Sequence, residues 1–96
     1  MDLIINNKKV VLRDRLPARQ GWDVIVNKAS VLQKAWNEID FDDLAALLAV
    51  AVESWEFDGD PSDAASYANL DLLSEFVPLV SKLGEWLNDR FGASKN

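Results

Sequence analysis

The 96-residue sequence contains neither cysteine nor histidine. Without thiolates and imidazoles, zinc and haem sites lose their usual ligands, and carboxylates remain the only strong metal ligands. The same absence excludes disulfides, the commonest general base, and every Ser-His or Cys-His arrangement for nucleophilic catalysis. We therefore expect a fold stabilised by packing, in a protein that is not an enzyme and binds no cofactor.

Glycines and long apolar runs are also scarce. The four glycines stand singly, so the sequence has no glycine-rich phosphate loop. The longest apolar run, residues 44–52, is nine residues long, whereas a membrane-spanning helix needs about 20. The start of the sequence lacks the basic-then-apolar order of a signal peptide. These features predict no membrane association, a cytoplasmic location and one domain over residues 1–96.

Charge is distributed unevenly along the chain. Residues 1–36 hold seven bases and three acids, whereas residues 37–96 hold three bases and thirteen acids. Nucleic-acid surfaces combine basic with stacking aromatic side chains, but the basic part has only Trp22 and Trp36, both at helical spacing. We expect no nucleic-acid binding. The two halves either attract each other within the fold or form oppositely charged patches that meet between chains.

The hydropathy pattern predicts a mainly α fold that begins with a β-hairpin over about residues 2–13. Asn6 and Asn7 separate two short apolar strands, and asparagine tolerates the positive φ of a hairpin turn. A first helix is predicted over about residues 17–36, because apolar residues recur at three- and four-residue steps. Its predicted buried face consists of Trp22, Ile25, Val26, Ala29, Leu32 and Trp36.

A central helix is predicted over about residues 40–56. Asp40 stands in the N-cap position and Asp43 three residues on, which is typical of a capping box. The helix is apolar or small-sided nearly all round, so we expect other helices or another chain to cover it. Glycine and proline in the following stretch, "DGDPSD", are expected to turn the chain.

Two further helical elements complete the prediction of three to four helices. A short turn is expected over about residues 62–68, capped by Ser62. A longer helix is expected over about residues 71–91, with a kink at Pro78, because proline cannot donate the backbone hydrogen bond of a helix interior. The predicted buried face of this helix consists of Leu72, Phe76, Leu79, Val80, Leu83, Trp86, Leu87 and Phe91.

The acidic residues of the "DGDPSD" turn do not match a metal or catalytic motif. Asp58, Asp60 and Ser62 fall at positions 1, 3 and 5 of an EF-hand loop, but Asp63 occupies the glycine position and Asn69 the glutamate position. A glycosidase pair needs a cleft that separates two carboxyl pKa values, and a small helical domain offers little room for one. We predict neither a calcium site nor a catalytic pair.

Acidic side chains at the predicted end of the central helix need a cation. Glu53, Glu56 and Asp58 lie there, where the helix macrodipole is already negative. The cations available to pair with these carboxylates are Arg13, Arg15 and Arg19. We hypothesise that this arginine-rich segment meets the acidic helix end, within one chain or between chains. The alternative is an acidic rim that is simply solvated.

Aromatic residues in the second half of the sequence admit two interpretations. Trp55, Phe57, Trp86 and Phe91 recur at helical spacing, which is typical of a core. Exposed tryptophan and tyrosine are also enriched at binding surfaces, so an exposed Trp86 or Phe57 would indicate a docking groove.

Short motifs in a fixed order run along most of the chain. They are Leu16-Pro17, Trp55, Phe57, Asp58-Gly59, Pro61 and the segment Leu70 to Phe76 that leads into the last helix. This order resembles the small tail assembly chaperones of long-tailed bacteriophages. The resemblance implies a small, acidic, largely helical protein that coats the tape-measure protein, helps to recruit tail tube subunits in the host cytoplasm, and leaves before the virion is finished.

The resemblance also implies an apolar binding surface, because a tape-measure protein has apolar stretches that must be kept soluble. We expect self-association as well, through unlike charges. The candidate partner-binding residues are Arg13, Arg15, Arg19, Trp55, Glu56, Phe57, Leu73, Phe76 and Trp86. Two alternatives stay open: a structural virion component, such as a head-tail connector or decoration protein, and a host-encoded regulator or antitoxin-like binder.

Overall fold

The computed structural model describes residues 1–89, apart from the side chains of residues 25 and 28–30. Its elements are β1 (Asp2–Ile5), β2 (Lys8–Leu12), α1 (Ala18–Asp23), a π-helix (Val24–Lys28), two 3₁₀-helices (Ala29–Gln33 and Trp36–Glu38), α2 (Phe41–Ala51), β3 (Val52–Trp55), a 3₁₀-helix (Ala64–Asn69), a second π-helix (Leu72–Phe76) and α3 (Val77–Leu87). Phe91, in the predicted last helix, lies outside the described residues. Within them, every helix is too short or too polar to cross a bilayer.

The three strands form one antiparallel sheet with β2 in the middle. Asn6 and Asn7 join β1 to β2 with φ of 50° and 66°, as a tight hairpin turn requires. Val10 pairs with Leu3 on one side and with Trp55 on the other. The predicted fold, a mainly α chain whose strands form an N-terminal hairpin alone, is therefore wrong, because the hairpin extends into a three-stranded sheet.

The third strand comes from the predicted central helix. Asp40 accepts a hydrogen bond from the backbone N–H of Asp42 (2.8 Å), so α2 begins near the predicted residue, but it ends at Ala51. The register of β3 shifts between its pairings with β2, which leaves Glu53 in a β-bulge. The bulge lets Val52 and Trp55 lie opposite inward-facing residues of β2, although their spacing of three residues is typical of a helix.

The predicted first helix is broken into short pieces. α1 has six residues and gives way to π- and 3₁₀-helical turns, which fits a stretch with Gly21 at its start and β-branched residues after it. Its predicted buried face is wrong for Trp22, Val26 and Trp36, which are 71%, 55% and 63% exposed. Leu32 packs against the core, and the predicted burial of Ile25 and Ala29 lies outside the described side chains. Val24 and Val31 are buried instead, because the irregular turns change which residues point inward.

Two helical elements follow the acidic turn. Asp63, rather than the predicted Ser62, caps the 3₁₀-helix by accepting a hydrogen bond from Ala65 N–H. The predicted kinked helix consists of the second π-helix and α3, which begins at Val77 and carries Pro78 in its first turn. Proline is tolerated there because the first N–H groups of a helix have no partner within it.

The core lies between one face of the sheet and the helices. Its largest fully buried side chains are Trp86, Tyr67, Leu12, Leu44, Leu47, Leu48, Leu79, Leu83, Val10, Val24 and Val52. These side chains come from β2, β3, α2 and α3, with Val24 from the first π-helix and Tyr67 from the last 3₁₀-helix. Sheet and helices therefore share one hydrophobic cluster. Among the described residues, no charged side chain is buried. Burial of apolar surface therefore dominates the stabilisation of this fold.

Candidate partner-binding surface

Arg13 lies at the C-terminal end of α2. Its side-chain Nε donates to the carbonyl of Val50 (2.9 Å), and its backbone N–H donates to the carbonyl of Ala51 (2.9 Å). A guanidinium at this position interacts favourably with the negative end of the helix dipole. It also donates a hydrogen bond to a carbonyl that has no partner within the helix. The predicted cation is present, but it binds the helix backbone rather than a carboxylate.

Glu56 has a different partner from the predicted arginines. Its carboxylate accepts a hydrogen bond from the backbone N–H of Lys9, and its own N–H donates to the Lys9 carbonyl (3.0 Å). Arg15 and Arg19 are exposed, and among the described residues neither lies within ion-pair distance of a carboxylate. The described part of a single chain therefore leaves Arg15 and Arg19 in solvent and uses Glu56 to hold the end of β3 to β2.

The acidic turn is organised by its own side chains. Asp60 accepts hydrogen bonds from the N–H of Ser62 (2.9 Å) and from its hydroxyl (2.7 Å), and these bonds lower the pKa of the Asp60 carboxyl. Gly59 has φ of 91°, and a Cβ on it would lie 2.8 Å from the Oγ of Ser66. Gly59 is therefore favoured for two reasons: its positive φ disfavours other residues, and Ser66 leaves little room for a side chain.

Two aromatic residues attach this turn to the core. Trp55 Nε1 donates to the carbonyl of Gly59 (2.9 Å). The buried hydroxyl of Tyr67 lies 2.7 Å from the carbonyl of Pro61 and 3.2 Å from that of Leu48, and the ring centroids of Trp55 and Tyr67 are 4.8 Å apart. The "DGDPSD" stretch is thus a fixed structural turn, and the sequence reasoning did not identify Tyr67 as its anchor.

The carboxylates of the turn do not converge on a metal position. Within the described residues, no group of three or more Asp or Glu side chains is placed to hold an ion.

Phe57 is half-buried, and the Nζ of Lys8 lies 5.5 Å from its ring centroid, a cation–π distance. Both residues line a cleft of about 150 Å³ with Asp58, Ser66, Asn69, Leu70 and Glu75. Small-molecule sites usually measure about 300–1,000 Å³, so we assign no ligand to this cleft.

Two of the candidate docking residues belong to the interior. Trp86 is 1% exposed, and its Nε1 donates to the carbonyl of Arg13 (2.7 Å). Phe76 is 4% exposed and stacks on Phe41 with ring centroids 5.2 Å apart. Of the two interpretations of Trp86, the core one therefore describes the structure, and neither ring presents a free surface to a partner.

The structure instead exposes a group of apolar side chains around Phe76. Leu72 and Leu73, in the second π-helix, are 60% and 76% exposed. Phe41, 42% exposed, stacks on Phe76 and so brings the start of α2 beside that helix. We call Phe41, Leu72 and Leu73 the leucine face. Leu73 was a predicted partner-binding residue, whereas Leu72 was predicted to lie on the buried face of the last helix.

Acidic side chains surround the leucine face. Asp42 and Asp43 follow Phe41, and Asp71 and Glu75 flank the leucines. Side-chain and backbone hydrogen bonds from Ser74 lower the pKa of Asp71. A backbone hydrogen bond from Asp71 and a side-chain bond from Asn6 (2.7 Å) lower that of Glu75. The sequence has no lysine or arginine between residues 35 and 81, but Lys8 of β2 lies near enough to Glu75 to lower its pKa further.

A second exposed apolar surface lies on the first helical segment. Trp22, Val26 and Trp36 are 71%, 55% and 63% exposed, and we call the segment 18–38 that carries them the tryptophan segment. Arg19 and Lys34 within it are also exposed. This segment holds three bases, Arg19, Lys28 and Lys34, and two acids, Asp23 and Glu38.

Comparison with known proteins adds no relative. No protein-family model, curated protein or solved structure is detectably similar to this chain.

Proposed function

We propose that this protein is a phage tail assembly chaperone, without catalytic activity, that binds apolar segments of the tape-measure protein and assists tail tube assembly. The leucine face carries the proposal: Leu72 and Leu73 are 60% and 76% exposed in a chain that buries most of its other leucines. Adjacent exposed apolar side chains are typical of surfaces that bind another protein. The order of short motifs along the chain supports the same function.

The size of the leucine face favours weak, reversible binding. Burying the exposed parts of two leucines is worth about 2–4 kcal/mol before the cost of association is subtracted. A single contact of that strength dissociates rapidly, whereas many copies along one long client keep it covered together. Such binding suits a chaperone that leaves before the virion is complete.

The acidic rim selects among apolar clients. Asp42 and Asp43 follow Phe41, Asp71 precedes Leu72, and all three are exposed, so a helical segment with lysine or arginine beside its apolar stripe is attracted and an acidic segment is repelled. The net charge of −6 also keeps a complex of many copies dispersed, because like-charged particles repel each other. The proposed client is therefore an apolar, basic-flanked segment.

Co-expression with a tape-measure protein tests the proposal. The wild-type chain should raise the soluble fraction of the tape-measure protein, and the Leu72→Gln/Leu73→Gln variant should lose most of that effect. Ile4→Gln is the matched control, because Ile4 is 70% exposed on the sheet, outside the leucine face. A tape-measure protein that is no more soluble with the wild-type chain contradicts the proposal.

Mass spectrometry of purified virions provides an independent test. A chaperone that leaves during assembly should be absent from mature particles or present only in traces. Abundant copies in the particle would contradict the chaperone function and indicate a structural virion component instead.

A further inference from the structure

The helical turn that carries Leu72 and Leu73 contains one residue more than an α-helical turn. The N–H of Phe76 donates to the carbonyl of Asp71 (2.8 Å), and the N–H of Val77 donates to that of Leu72. Both bonds span five residues, whereas an α-helical bond spans four. Phe76 and Val77 have α-helical φ and ψ, so the second π-helix runs into α3 without a break. The two leucines therefore lie on the widened first turn of one continuous helix.

The extra residue decides where Leu72 points. In a regular α-helix Leu72 would share a face with Phe76 and Leu79, which follow it by four and seven residues. Phe76 and Leu79 are buried, yet Leu72 is 60% exposed. One additional residue rotates the preceding part of a helix by about 100°, which accounts for the difference. An α-helical turn would direct Leu72 towards the core and move Leu73 to about the place that Leu72 has now.

Pro78 follows directly after the two five-residue bonds. In a continuous α-helix, residue 78 donates its N–H to the carbonyl of residue 74, and a proline ring clashes with that carbonyl. A wider turn displaces the carbonyl of Ser74 from the ring. We propose that Pro78 excludes the α-helical register of this turn and thereby keeps Leu72 at the surface. Pro78 is thus a positioning residue that acts on the leucine face without belonging to it.

Hydrogen bonds at the start of the turn fit the same register. Asp71 accepts a bond from the N–H of Ser74 (2.9 Å), and its own N–H donates to the carboxylate of Glu75 (2.9 Å). In a capping box the returning side chain comes from the third residue after the cap, whereas here it comes from the fourth. Asn6 of the hairpin donates to the same carboxylate (2.7 Å). These bonds attach the widened turn to the hairpin, whereas the proline ring is what forbids an α-helical turn.

Replacement of Pro78 by alanine tests this role, and a single introduced thiol reports on the register. The sequence has no cysteine, so Leu72→Cys provides a unique thiol. In the folded chain, Pro78→Ala should slow the reaction of this thiol with iodoacetamide by roughly tenfold or more, because a buried thiol reacts only when the structure opens. The thiol of Leu73→Cys should stay reactive with or without Pro78, since position 73 is exposed in either register.

Three controls separate a change of register from a general change of structure. Ile4→Cys, at a position that is 70% exposed on the sheet, gives a reference rate that Pro78→Ala should leave unchanged. Glu75→Ala removes contacts of the same turn but keeps the proline, so it should not slow the reaction of Leu72→Cys. Pro78→Ser repeats the test with a second side chain and should give the same result as Pro78→Ala. Circular dichroism and thermal unfolding establish that each variant is folded.

Two results would overturn the inference. One is an unchanged rate for Leu72→Cys in a folded chain that carries Pro78→Ala or Pro78→Ser. The other is an equal slowing by Glu75→Ala, because the proline is still present in that variant.

The consequence for client binding rests on the proposed function. Pro78→Ala should lower the soluble fraction of a co-expressed tape-measure protein, because Leu72 no longer faces the client. A slowed thiol without this loss would support the role of Pro78 and contradict the binding role of Leu72. An unchanged thiol would refute the role of Pro78, while the chaperone proposal would stand if Leu72→Gln/Leu73→Gln still loses its effect on the tape-measure protein.

Discussion

Removal of one hydroxyl group tests the anchor of the acidic turn. Tyr67→Phe deletes the group that lies 2.7 Å from the Pro61 carbonyl and 3.2 Å from the Leu48 carbonyl, while the ring keeps its place beside Trp55. The Leu48 carbonyl retains its bond from the N–H of Val52, and Pro61 is only half-buried. Because neither acceptor is left both buried and unpaired, we expect a loss of about 1–1.5 kcal/mol in the free energy of unfolding.

Urea unfolding at pH 7 measures this loss. The midpoint should fall while the m-value stays unchanged, because the surface exposed on unfolding is nearly the same. In thermal unfolding the same loss corresponds to roughly 4–12 °C in Tm for a domain of this size. A variant as stable as the wild type would refute the anchoring role of the hydroxyl.

The pH dependence of stability gives the same prediction a second readout. Burial raises the pKa of Tyr67 above its usual value of 10.0. Above pH 10 the hydroxyl therefore ionises in the unfolded chain before it ionises in the folded one, so stability falls as pH rises, by about 1.4 kcal/mol per pH unit. Tyr67→Phe should lack this contribution. Equal slopes above pH 10 in both proteins would contradict the assigned burial.

Three further substitutions test other parts of the structure. Gly59→Ala should destabilise by about 1–3 kcal/mol, because of its positive φ and the clash with Ser66, and adding Ser66→Gly should recover only the clash, as urea unfolding of both variants would show. Arg13→Gln should cost about 1–2 kcal/mol, since a charged hydrogen bond to the end of α2 is lost, and equal thermal stability would count against that bond. Leu72→Gln/Leu73→Gln should change the free energy of unfolding by less than about 0.5 kcal/mol, because both side chains are exposed, and a larger loss by urea unfolding would show that they pack in the core.

The candidate site was only partly accessible to sequence reasoning. Leu73 was named as a partner-binding residue and is exposed, whereas Trp86 was named and is buried. Leu73 and Trp86 both occur in segments with helical spacing. That spacing does not predict which of the apolar side chains packs against the core. The π-helix at Leu72–Phe76 rotates its leucines away from the core and keeps Phe76 inside, a change that the 3.6-residue period does not predict.

The first helical segment shows the same limit. Its apolar residues recur at the correct steps for one regular helix, yet the observed helix type changes within the segment. Trp22 and Trp36, expected in the core, are exposed as a result. The exposure of these tryptophans is therefore a consequence of the irregular backbone, and only the fold reveals it.

The sequence by itself determined the local features of this protein. The hairpin turn at Asn6 and Asn7, the start of α2 after Asp40, and the break near Gly59 each depend on the conformational preferences of a few neighbouring residues. The imbalance of charge between the two halves of the chain is likewise a property of composition.

The tertiary structure alone decided the third strand. Val52 and Trp55 carry a helical spacing, and they join the sheet only because the open edge of β2 offers hydrogen-bond partners and a bulge at Glu53 corrects the register. Tertiary packing also decided which apolar side chains stay at the surface, because burial depends on elements distant in the sequence that meet in the fold.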